Sequence, residues 1–155
     1  MSLLAAIRPD DWNFPLLLHV LGAMLLVGGL TGAVISFWLG WRGDSTLPRL
    51  GFKSLLFVAF PAWWLMRIPG QWIASKEGFD GTGEEPGWLG IGYITAEAGG
   101  LLILISLILT GLGVRRMRGA EQPSASLMVR IGTVLVTIVL AAYLVAVWAM
   151  SAKPD

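Results

Sequence analysis

The sequence predicts an all-α integral membrane protein: a four-transmembrane-helix bundle, residues 1–155 forming one domain, with both termini outside. Three observations carry that prediction. Of 155 residues, 55% are hydrophobic and only 14% charged, with a mean hydropathy of +0.73, whereas a water-soluble domain carries about 25% charged residues. Four apolar stretches, at 14–41, 50–73, 88–114 and 127–150, each exceed the roughly 20 residues that cross about 30 Å of hydrocarbon at 1.5 Å per residue. The links between them divide by charge, basic on one side of the membrane and acidic on the other.

The first stretch carries Gly28, Gly32, Ser36 and Gly40, a four-residue repeat of small side chains along one stripe. Lipid supplies no hydrophobic drive between helices, so close backbone approach across such seams is a main source of association. The stripe is expected to meet a neighbouring helix, either within the chain or in a homo-oligomer or larger membrane complex. In the second stretch Pro61 removes a backbone donor and is expected to bend the helix, while Pro69 loosens its outer end. The third contains the unbroken apolar run 101–109, where a β-barrel strand would alternate. Ala96, Gly99 and Gly100 repeat the small-residue pattern there, and the fourth stretch closes the bundle.

Orientation follows from Lys and Arg. The first link has Arg42 and Arg49, with Lys53 just beyond, and the third has Arg115, Arg116 and Arg118, followed by Arg130. The link at 75–87 sets Glu77, Asp80, Glu84 and Glu85 against Lys76 alone. The basic links are therefore expected in the cytoplasm and the acidic link outside. Gly78, Gly81, Gly83, Pro86 and Gly87 make the outer link turn-rich, a connector or a lid. No cleavage pattern follows the first stretch, which is expected to remain as a helix.

Composition also removes whole classes of function. A net charge of +1 sets up no field to recruit nucleic acid. With no cysteine there is no disulfide, thiolate metal site, iron–sulfur cluster or thiol nucleophile. With one histidine, no two-histidine haem or metal site can be built within one copy. No phosphate-binding glycine loop is present, and no nucleophile constellation marks an enzyme.

What remains is a polar cluster inside the spans. His19, Arg67 and Glu97 sit on three different stretches, about 8–9, 9 and 13 Å below their outer ends at 1.5 Å per residue. Ionisable groups at such depth are costly and mark functional candidates. Gln71 lies one turn from Arg67, Tyr93 one turn from Glu97, and Tyr143 supplies a polar group from the fourth stretch. Arg67 and Glu97 are expected to touch or to share a bound group, as a ligand or proton site or as a buried hydrogen-bond network. Most of the eight tryptophans fit interfacial belts. Trp63 and Trp64 are deeper, within a turn of Arg67, and are expected to face its guanidinium.

His19 lies in the string Leu18-His19-Val20-Leu21-Gly22-Ala23, with Gly28-Gly29 following, so small residues one turn below the imidazole leave room for a flat group. Over some fifteen residues this resembles the first-helix pattern of copper-resistance D-like membrane proteins and of a related family of predicted integral membrane proteins of unknown function. The resemblance implies a four-helix unit in which the first-helix histidine matters.

The function expected is a binding or accessory module of a membrane complex. In one version His19 is the ligand of a b-type haem or a metal ion, with Arg67 on a propionate and Met66 or Met150 as second ligand. The alternative is an oligomeric small transporter or channel that uses Glu97 and His19.

Overall fold

A computed structural model describes residues 13–41, 46–79, 87–117 and 126–152. Among these the chain is helical and contains no strand. Helix α1 spans Asn13–Gly40. Helix α2 is one rod made of Thr46–Ser54, a π-helical turn at Leu55–Ala59 and Phe60–Lys76. Helices α3 and α4 span Gly87–Met117 and Leu127–Ala152. Arg42, Asp80, Gly81, Gly83, Glu84, Glu85, Pro86 and Arg118 lie outside the described residues.

Three helices, α1, α3 and α4, are long and apolar enough to cross a membrane. Helix α2 differs because Pro61 sits at the start of its last segment, without an N–H and with its ring against the preceding turn. The backbone answers by widening, and the Phe60 N–H reaches the Leu55 carbonyl five residues back. The bend expected at Pro61 is thus a π turn, and the longest regular α segment of this helix is 17 residues.

Apolar side chains fill the core and also cover the outside. Large apolar side chains point outward, among them Met24, Phe57, Ile68, Ile94, Ile108 and Ile138, while small residues line many of the helix contacts. Buried Thr110 and Thr133 satisfy their hydroxyls on carbonyls four residues back, so they add no unpaired donor. Packing is closest between α1 and α2 and between α3 and α4, while α1 meets α4 and α2 meets α3 more loosely, to a similar extent. The α2–α3 seam becomes the functional candidate.

The seam between α1 and α2 is built on glycine. A Cβ on Gly22 would lie 2.5 Å from the Met66 nitrogen, and one on Gly29 would lie 2.8 Å from the Ala59 nitrogen. The Ser54 hydroxyl donates to the Gly29 carbonyl at 2.8 Å. Of the stripe singled out in the sequence, Gly32 faces Ser54, Gly40 faces Pro48 and Ser36 is buried, whereas Gly28 has open space. Three of the four stripe positions are thus used within the chain, Gly28 is not, and Gly22 and Gly29 add to the seam from outside the stripe.

The turn after α2 is fixed by its own capping. Gly78 adopts φ +84°, Phe79 N–H donates to the Ala74 carbonyl at 3.0 Å, and Gly78 N–H to the Ser75 carbonyl at 3.4 Å. This is a Schellman closure, which needs the left-handed residue that glycine supplies. The Phe79 ring then meets Trp88 edge to face, 6.5 Å between centroids, and ties α2 to the start of α3.

Candidate functional site

The expected polar layer divides into three contacts. In the first, between α1 and α2, His19 Nδ1–H donates to the Met66 carbonyl at 2.8 Å. The ring fits because residue 70 is glycine: a Cβ there would stand 2.7 Å from Nδ1. Gly22, read as room beside the imidazole, instead receives the α2 backbone at Met66, so helix contact takes the space assigned to a flat ligand.

The second contact lies between α3 and α4. Buried Tyr143 packs its ring and hydroxyl on Gly99, and the Met150 methyl packs on Gly92. Met150 therefore belongs to a different seam from His19. Among the described residues no group of three His, Cys, Asp or Glu gathers to hold a metal, and of the two methionines singled out in the sequence only Met66 lies in the seam of His19, which it meets through its backbone carbonyl.

The third contact is where α2 meets α3. Arg67 Nε–H donates to Glu97 Oε1 at 2.8 Å, Nη2 bonds the same oxygen, and Nη1 donates to Gln71 Oε1 at 2.7 Å. The pair is close and charge-assisted, so each charge neutralises the other. The Arg67 guanidinium stands 5.8 Å from the centre of the Tyr93 ring. The aromatic partner is thus Tyr93, one turn before Glu97, rather than Trp63 or Trp64. The reason lies in Trp63: its Nε1–H donates to the Ala96 carbonyl at 2.9 Å, and its ring lies against Gly100. Its face is spent on α3, and Trp64 meets it edge to face with 4.5 Å between centroids.

A groove of about 500 Å³ opens on the outside of the bundle along this contact, lined by Trp63, Trp64, Arg67, Ile68, Gln71, Trp72, Ser75 and Glu97. Within the ion pair the Arg67 side chain is 22% exposed and the Glu97 side chain 61%. Glu97 Oε1 accepts both arginine bonds, and no described residue bonds Oε2. Glu97 lies about 15 Å along α3 from its first residue.

Two ridges of α2 shape the groove. Trp64, Ile68 and Trp72, spaced by four, form an apolar ridge; Arg67, Gln71 and Ser75, also spaced by four, form a polar one. Of the residues the sequence gathers in one layer, Arg67, Gln71, Glu97, Trp63 and Trp64 line this groove, and His19, Met66, Tyr93, Tyr143 and Met150 do not. Sequence reading missed Trp72 and Ser75, whose four-residue spacing from Ile68 and Gln71 was the available signal. No protein-family model matches the chain, and no curated protein or solved structure shows significant similarity to it.

Proposed function

We propose that this protein is a membrane-embedded binding module whose site is the groove between α2 and α3. In this reading α2 crosses as well, since its three segments form one rod of about 46 Å. The Lys/Arg asymmetry of the links puts both termini and the α2–α3 turn outside. The observation that carries the reading is the Arg67–Glu97 pair, set in an open groove with most of the Glu97 side chain uncovered. Ionisable groups in a span face protein, water or a partner, because lipid gives them no hydrogen bonds. A binding partner meets that requirement for Glu97 Oε2.

His19 has a structural role in this account, pinning α1 to α2 through the Met66 carbonyl. A metal or haem role for His19 and a transport role for Glu97 with His19 draw no support from the geometry, since His19 lies in another helix seam.

The test uses the absence of cysteine from the chain. A nitroxide attached through Ile68→Cys, inside the groove, is compared in native membranes with one attached through Ile138→Cys on the exposed face of α4. A covered groove gives the label at 68 a several-fold lower collision rate with oxygen than the label at 138. Equal rates would contradict the proposal.

A further inference from the structure

We infer that the occupant of the groove is a single zwitterionic phospholipid, drawn from the leaflet at the α2–α3 end of the bundle; this rests on the binding-module reading above. The first argument is charge. The groove holds one guanidinium and one carboxylate in direct contact, net zero. A purely anionic headgroup attracted to Arg67 meets Glu97, and a purely cationic one attracted to Glu97 meets Arg67. A headgroup carrying both a phosphate and an ammonium satisfies each side, with its ammonium at Glu97 Oε2 and its phosphate at the arginine N–H groups that Glu97 and Gln71 leave unused.

The second argument is shape. The polar ridge Arg67–Gln71–Ser75 climbs about 12 Å along α2 toward the helix end, and the apolar ridge Trp64–Ile68–Trp72 runs beside it. One amphipathic molecule matches both ridges, its head along the first and an acyl chain along the second.

The third argument weighs against a second copy of the chain. Helices in lipid associate through small residues that let backbones approach, and Gly22, Gly29, Gly99 and Gly100 are all occupied within the chain. The groove instead presents half-exposed Trp64 and Trp72, which hold another helix away but leave room for a lipid.

Native mass spectrometry of the purified protein, after a delipidating detergent wash, tests this with phosphatidylethanolamine and phosphatidylglycerol offered in equal amounts. The expected result is one phosphatidylethanolamine per chain, preferred at least tenfold, with occupancy at least tenfold lower in Glu97→Gln and Arg67→Gln. Trp72→Ala, at a half-exposed position outside the core, should also lower occupancy several-fold. Equal retention of the two lipids, unchanged retention in all three variants, or a lipid-free dimer would overturn the inference. A bound mass that is not a lipid would overturn it while leaving the binding module standing, and an empty groove at both nitroxide and mass readouts would remove both.

Discussion

Arg67 on α2 gives two of its N–H groups to one oxygen of Glu97 on α3, and no described residue bonds the other oxygen. The pair is thus both a tie between α2 and α3 and the chemical floor of the groove there. If it is a tie, removing one charge leaves the other unpaired in a low-dielectric layer, whereas removing both is nearly neutral. Glu97→Gln and Arg67→Met should each lower stability in detergent by about 1.5–3 kcal/mol, the scale of hydrogen bonds to charged groups. The double variant should recover most of the loss. Thermal unfolding of the four proteins gives the cycle, and additive losses would show no coupling.

The glycine seam makes opposite predictions at neighbouring positions. Gly22→Ala and Gly29→Ala drive a methyl into the α2 backbone, which cannot swing aside as a side chain does, so each should cost about 1–3 kcal/mol. Gly28→Ala meets nothing within 4 Å and should leave thermal stability unchanged or slightly raised.

His19 and Gly70 should behave as one unit. Gly70→Ala displaces the imidazole from the Met66 carbonyl and should destabilise by about 1 kcal/mol, the net value of such a bond. In a His19→Ala background the same substitution should cost almost nothing more. A Soret band in the purified protein that disappears in His19→Ala would instead make the ring a haem ligand.

The helices were legible because composition, length and periodicity act locally: the ends of the expected 14–41, 88–114 and 127–150 fall within three residues of those of α1, α3 and α4. The second stretch was legible as apolar but not as a rod with a π turn, because the extra residue at Leu55–Ala59 depends on how α2 relieves Pro61. Depth counting brought Arg67 to Glu97 correctly, since rise per residue is fixed. It could not tell that His19 would turn to Met66 while Tyr143 and Met150 turned to Gly99 and Gly92. Depth places residues in a layer, but rotation about each helix axis decides which seam they enter, and that rotation is set by which glycines the neighbours occupy.

Topology has a separate check. Single cysteines introduced at Arg49 and Arg116 should be labelled by an impermeant maleimide only after the cells are opened, and one at Glu84 should be labelled on intact cells. Labelling of position 49 but not 84 on intact cells would reverse the orientation.

The central claim is that the Arg67–Glu97 pair holds a partner in the groove rather than only joining two helices. The most direct measurement places the nitroxide at position 68 in the Arg67→Met, Glu97→Gln double variant, whose fold the stability cycle expects to be recovered. The account predicts that protection is lost and that oxygen reaches this label as readily as the label at 138. Protection unchanged from the parent protein would contradict it, leaving the ion pair as a strut and the groove covered by something that does not use it.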